Sequence, residues 1–142
     1  LSGYKEALKQ QGIAPDERLI VQGKWTPASG AEAVTALLGD NVRFSAVLAS
    51  NDELAIGAIK QLTRTGIAVP EAVSVIGVAD TPTAAWLTPA LSSVKDPVSG
   101  MMSEVINRLI AMLDGGYLSQ DNLFSSTLQQ RDSVSEGPYW QQ

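Results

Sequence analysis

At 142 residues and 44% hydrophobic content, the chain is long enough to enclose one real core and reads as a globular domain. Ten Lys+Arg stand against 15 Asp+Glu, a net charge of -5, so the basic footprint of phosphate-dominated nucleic-acid binding is missing and this segment alone is not expected to hold DNA. With no histidine and no cysteine, Ser-His-Asp triads, thiolate nucleophiles, disulfides and the commonest metal ligands are excluded; no metal or cofactor is expected, and a cytoplasmic location is the simplest expectation.

The first residues, Leu1 to Leu8, carry no initiator Met, cationic region or apolar leader, and no later run approaches a membrane span. The chain opens inside a helical pattern and reads as a portion of a longer protein. Tyr4, Ala7, Leu8 and Gln11 follow helical spacing, with Ser2 as cap and Gly12 as stop. After the Ala14-Pro15-Asp16 turn, the apolar run from Arg18 to Gln22 predicts a buried strand closed by Gly23. Ser29, three residues before Glu32, predicts the N-cap of a second helix carrying Ala33, Val34, Leu37 and Leu38 up to Gly39. Phe44 to Ala49 predicts a second strand. Asn51 or Asp52 then caps a helix carrying Leu54, Ala55, Ile56, Ala58, Ile59 and Leu62 to Gly66. Val69-Pro70 breaks the pattern, Val73 to Val78 predicts a strand, Pro82 to Trp86 a brief helical turn, and Leu91 to Val94 a short extended piece. Pro97 precedes a long helix with Met101, Met102, Val105, Ile106, Leu109, Ile110 and Leu113 on one face, where the methionine pair is assigned to packing. Gly115-Gly116 ends that helix, and Leu123 to Gln130 predicts a last strand.

Strands alternating with helices at this spacing define an α/β class, a parallel sheet flanked by helices. Ligands of such sheets gather beyond the carboxyl ends of the strands, which here means the loops around Lys24 to Thr26, Ser50 to Asp52 and Ala79 to Thr83. Trp25, the Ser50-Asn51-Asp52 triplet with Asn51 as its candidate ligand residue, and Ala79-Asp80 fall in those loops. An indole face stacks on the C–H patches of a pyranose, while an amide and a carboxylate serve neighbouring hydroxyls, so the trio suits a neutral sugar or polyol. Each residue also has a simpler use: Trp25 in packing, the Asn51-Asp52 pair as an N-cap, and Asp80 before Thr81-Pro82 as a turn or cap residue. No phosphate-cradling fingerprint runs through the 12 glycines. No Asp or Glu pair lies in loops that clearly converge as glycosidase carboxylates do, so no catalytic residue is assigned and the chain is read as a non-enzyme.

The linear order of the motifs is more specific than any single residue. Gly3-Tyr4-Lys5-Glu6-Ala7-Leu8, Trp25, the Ala-Val-Leu-Ala-Ser-Asn-Asp run of residues 46–52, Ala55-Ile56-Gly57-Ala58, Val69-Pro70, Val73-Ser74-Val75-Ile76-Gly77, the Thr-Pro-Ala-Leu-Ser-Ser-Val run of residues 88–94 and the closing Gln130-Arg131-Asp132-Ser133 together resemble the LacI/GalR repressor family over nearly the whole chain. Residues 23–30 with residues 89–95 resemble repressors of cryptic β-glucoside operons, those for arbutin, salicin and cellobiose. The resemblance implies a periplasmic binding protein-like type I fold, of which this chain is the C-terminal half of a two-subdomain effector domain. Residues 1–90 would form the C-terminal subdomain, 91–122 part of the N-terminal subdomain, and 123–142 the final crossover strand and C-terminal tail. The DNA-binding headpiece and the first half of the N-terminal subdomain would lie outside the chain.

By the same resemblance, the whole protein is a homodimer that binds a sugar effector, touches operator DNA only through its headpiece, and loses operator affinity when sugar closes the two subdomains. Trp25 matches the aromatic platform under the ligand and Asn51 a hydrogen-bonding ligand residue. The Asp that usually follows the Gly-hydrophobic pair of the third strand falls on Ala79 here. Either the neighbouring Asp80 takes over that role, or the contact is lost at about 1.5 to 3 kcal/mol. Trp86, Leu87 and part of the Leu54 to Leu62 helix serve either the dimer interface or the core. The alternative from another class is a soluble sugar-binding protein of a transport system, which shares the fold and carries a leader in place of a headpiece.

Overall fold

The computed structural model describes residues 1–40, 42–116 and 123–136. Helix α1 (Ser2–Gln10) is followed by a 3-10 turn (Glu17–Leu19), α2 (Pro27–Gly39), β1 (Ala46–Leu48), α3 (Asp52–Arg64), β2 (Ser74–Val78), a second 3-10 turn (Pro82–Trp86), β3 (Ser92–Lys95), α4 (Val98–Leu113) and β4 (Thr127–Gln129). The strands form one sheet in the order β1-β2-β3-β4. The β1–β2 and β2–β3 pairs are parallel, with Val47 opposite Val75 and Gly77 opposite Ser93. β4 is antiparallel to β3, with Val94 opposite Leu128, so the sheet is mixed rather than parallel throughout. The cause is geometric: β4 begins at Thr127 opposite Lys95, where β3 ends, and a strand that re-enters at the edge its neighbour left must run back.

The core forms where α3 lies on the sheet. Its buried residues Asp52, Ala55, Ile59 and Leu62 recur at helical spacing, and Val75 of β2, Leu91 and Val34 of α2 complete the packing. α2 and α3 touch backbone to backbone near their N-terminal ends. A Cβ on Gly30 would run into the carbonyl of Leu54, and one on Gly57 into the carbonyl of Pro27. Glycine is required at both crossings because nothing larger than hydrogen fits between the helices.

Several local expectations are corrected. The run from Arg18 to Gln22 is not a strand: the Asp16 carboxylate accepts from the Arg18 backbone N–H at 3.0 Å, which closes the 3-10 turn instead of releasing the chain into extended pairing. Arg18 also grips Asp16 through its guanidinium at 2.6 Å, and that hydrogen bond holds the Asp16 carboxyl below its ordinary value. Ser2 lies inside α1, with Leu1 at the cap position. Thr26, not Ser29, caps α2: its hydroxyl accepts from the Ser29 N–H at 3.3 Å, and Pro27 occupies the first helical position, where its missing N–H costs nothing. The apolar face of α4 is not packed, and Met101 and Met102 are exposed with it, because none of this helix is buried against another described element. Of the candidates for a core or interface role, Trp86 is 88% exposed, Leu87 and Leu54 pack at the edge of the core, and Ile59 and Leu62 of the same helix as Leu54 are buried in it. The predicted last strand contracts to Thr127–Gln129. Residues 117–122 of the segment assigned to the N-terminal subdomain, and 137–142 of the C-terminal tail, lie outside the described residues.

Candidate effector-binding site

The loops at the carboxyl ends of β1 and β2 and the loop entering α2 meet at one edge of the sheet. Asn51 follows β1 with an extended backbone, and its side-chain oxygen accepts from the Leu54 N–H at 2.9 Å, which makes it the N-cap of α3. Among the described residues nothing accepts from its amide nitrogen, and the side chain is half-buried. Trp25 sits at the apex of a tight turn in which the Thr26 N–H donates to the Lys24 carbonyl at 2.8 Å, and the Lys24 N–H donates to the Ser29 hydroxyl at 2.9 Å. Its side chain projects outward, 73% exposed, so packing within this chain is not its use. The Gly30–Leu54 and Gly57–Pro27 approaches hold the first turn of α2 across the first two turns of α3.

The third loop is joined to the second by a buried carboxylate. Asp52, only 1% exposed, accepts from the Thr81 N–H at 2.7 Å, from the Thr81 hydroxyl at 2.9 Å and from the Ser93 hydroxyl at 2.6 Å. A carboxylate at this depth is tolerable because these donors replace its water. Gly77 leaves room for it, since a Cβ there would strike Asp52 Oδ1. Ala79 and Asp80 both adopt positive φ, 111° and 50°, values that L-residues rarely take. The Ala79 N–H donates to the Val94 carbonyl at 2.8 Å and the Asp80 N–H to the Ser93 hydroxyl at 3.0 Å, so the turn is imposed by β3 and α3.

Asp80 is not open to solvent on all sides. Its Oδ1 accepts from Arg131 Nη2 at 2.6 Å, with the two side chains 10% and 22% exposed respectively. Arg131 also donates to the Leu91 carbonyl at 2.7 Å, and its backbone N–H to the Ser92 hydroxyl at 2.8 Å. Two residues on, the buried Ser133 hydroxyl accepts from the Ser92 N–H and donates to the Val75 carbonyl, which stitches the tail to β2 and β3. The arrangement therefore offers an exposed indole, a half-buried amide and a carboxylate with Oδ2 uncommitted among the described residues. Such a set binds a neutral polyhydroxylated ligand by stacking and hydrogen bonding. No group of His, Cys, Asp and Glu among the described residues is placed to hold a metal ion.

All three residues singled out from the sequence, Trp25, Asn51 and Asp80, lie in loops brought to this edge. Ser93 and Arg131 were not anticipated as parts of it, and Asp52, read from the sequence as a residue of the 50–52 site loop or a cap, turns inward to Thr81 and Ser93. Asp52 had a readable signal, since it shares the helical phase of Ala55, Ile59 and Leu62 and so had to face inward. Arg131 is 51 residues from Asp80, and no local pattern announces the pair.

A mixed sheet with α3 laid on it and polar loops beyond the carboxyl ends of its parallel strands is the architecture of a periplasmic binding protein-like domain. Residues 1–134 match the family described as periplasmic binding protein-like domain, and the chain belongs to that family. It is 58% identical over 134 residues, 94% of its length, to the HTH-type transcriptional regulator AscG of Escherichia coli (strain K12), and 38% identical over 136 residues, 95% of its length, to GalR of the same strain. The chain spans about 40% of the length of these two relatives. The crystal structure of the Escherichia coli transcriptional repressor ascG matches with a TM-score of 0.85 at 58% identity, over 93% of this chain and 48% of that one. A complex of the transcriptional regulator CelR with cellobiose matches with a TM-score of 0.86 at 32% identity, over 92% of this chain and 40% of that one.

Proposed function

We propose that this chain is the effector-sensing part of a LacI/GalR-type transcriptional regulator, that its effector is a β-glucoside or related sugar, and that it catalyses no reaction. The observation that carries the reading is the backbone-to-backbone packing of the first turn of α2 on α3, with an exposed indole at Trp25 in the loop entering the one helix and the half-buried Asn51 amide capping the other. Trp25 serves as the platform under the sugar ring. The Asn51 amide nitrogen donates to a hydroxyl, and Asp80 accepts from another through Oδ2. The likeness to a regulator in complex with cellobiose, itself a β-glucoside, supports the sugar class, and the 58% identity to AscG supports the regulator.

Sugar seated on this wall favours the closed arrangement of a two-subdomain cleft, and that population shift lowers the affinity of a dimer for its operator. Operator contact belongs to a headpiece outside this acidic segment, in a protein of the cytoplasm. The subdomain division proposed is 1–90, 91–122 and 123–142. A sugar-binding protein of a transport system shares the fold, but relatives described as HTH-type transcriptional regulators favour the regulator.

Titration of the intact protein with salicin, arbutin and cellobiose is expected to give a binding heat and a change in tryptophan fluorescence. Trp25→Ala is expected to weaken binding by roughly thirtyfold or more, the loss typical of an aromatic anchor worth about 2 kcal/mol. Unchanged affinity in that variant would remove Trp25 from the site, and release of aglycone from a chromogenic β-glucoside by pure protein would overturn the non-enzyme reading.

A further inference from the structure

We propose that Arg131 is a positioning residue for the effector loop: its ion pair with Asp80 holds the positive-φ turn of Ala79 and Asp80 and ties the sugar-facing carboxylate to the β3–β4 pair. The ligand half of this inference rests on the function proposed above; the loop half does not.

Three anchors reach the loop backbone, and all come from β3 or α3: the Val94 carbonyl, the Ser93 hydroxyl and the Asp52 carboxylate. None of them fixes the Asp80 side chain, which sits on a residue of positive φ and would be free to turn toward solvent. Arg131 supplies that missing constraint. Its planar guanidinium is divided between Asp80 Oδ1 and the Leu91 carbonyl, while its own N–H is held by Ser92. One residue thus spans the loop, the start of β3 and the end of β4. A lysine offers one point of attachment where this geometry uses two nitrogens on a rigid plane. Because the pair is mostly shielded from water, its attraction is less screened than that of a surface ion pair.

The consequence is a division of labour within one carboxylate. Oδ1 belongs to Arg131 and Oδ2 to the ligand, so a hydroxyl that draws on Asp80 also pulls, through the guanidinium, on the strand pair along which the chain leaves for α4 and returns in β4. Arg131 does not touch the sugar; it acts through Asp80.

The test compares Arg131→Gln and Arg131→Lys in the intact protein by two readouts, backbone amide hydrogen exchange without ligand and affinity for salicin. Arg131→Gln is expected to speed exchange at the amides of Ala79, Asp80 and Thr81 by about tenfold, while the α3 amides of Ala58 and Leu62 stay unchanged. It is also expected to weaken salicin by about tenfold, as loss of one charge-assisted hydrogen bond does. Arg131→Lys, which restores the charge but not the fork, is expected to recover affinity to within about threefold of the parent. A uniform rise in exchange with unchanged salicin affinity would reduce Arg131 to a general structural residue and overturn the proposal, as would unaltered exchange at 79–81. If the parent protein itself fails to take salicin, the β-glucoside reading fails, and the exchange measurement still decides the role of Arg131.

Discussion

Ala79 shows how a single residue is made to carry strain. At φ 111° its Cβ is forced into a region natural to glycine, and such a conformation costs on the order of 1 to 3 kcal/mol and persists only where the surroundings impose it. Here a hydrogen bond to Val94 on one side, and the Ser93 and Asp52 contacts of the next two residues on the other, do so. Ala79→Gly removes the clash but adds roughly 0.5 to 1 kcal/mol of unfolded-state entropy, so the net expected change is a stabilisation of about 1 kcal/mol, read as a higher urea midpoint at unchanged slope. A lower midpoint would mean that the alanine is not strained. At this scale the sequence is a partial guide. The cap role of Asn51 was legible because it immediately precedes a helix whose apolar stripe is plain. The partner of Asp80 was not, since an ion pair closed by tertiary contact leaves no trace in spacing.

Elements were legible to the extent that their own residues decide them. α3 follows from a capping Asn and an unbroken apolar stripe, and β2 from a β-branched run whose buried Val75 and Gly77 alternate with half-buried neighbours. The segment after Asp16 was misread because an apolar, β-branched run does not become a strand without a partner, and the Asp16 side chain offers its backbone a local alternative. Since Arg18 depresses the Asp16 carboxyl, whatever the pair adds is present at neutral pH and is lost as pH falls through the folded-state value, a small effect at an exposed site. The α2–α3 crossing is the element on which the candidate site depends. Gly57→Ala is expected to cost about 1 to 3 kcal/mol in unfolding experiments and to alter tryptophan emission, because Pro27, at the helix end that follows Trp25, must move off α3 to admit the new Cβ. Leu62→Ala, deeper in the same helix, is expected to cost about 2 to 5 kcal/mol while leaving the emission of the folded protein as it was. Equal spectra for the two variants would uncouple the crossing from the indole.

For the molecule as a whole, alternation of helix and strand was enough to reveal the α/β class, and the first three strands obey it. What alternation could not convey is direction at the far side of the sheet, where β4 runs against β3. Direction there depends on where the chain re-enters after α4, a property of the path and not of any residue in it. The buried serines around Asp52 (Ser92, Ser93 and Ser133) were equally unannounced, since serines read from a sequence look like surface or turn residues until their hydroxyls are seen to replace water for buried backbone groups and for a carboxylate.

α4 has a practical outcome for anyone who handles these 142 residues by themselves. Val98–Leu113 is about 24 Å long at helical rise, and it turns methionine, isoleucine and leucine side chains toward water along that length. A greasy rod of that size on an otherwise acidic particle should light up anilinonaphthalene sulfonate at neutral pH with native near-ultraviolet ellipticity intact, and should sediment as concentration-dependent multimers. A dark, strictly monomeric solution would mean that this helix folds back onto the sheet when free.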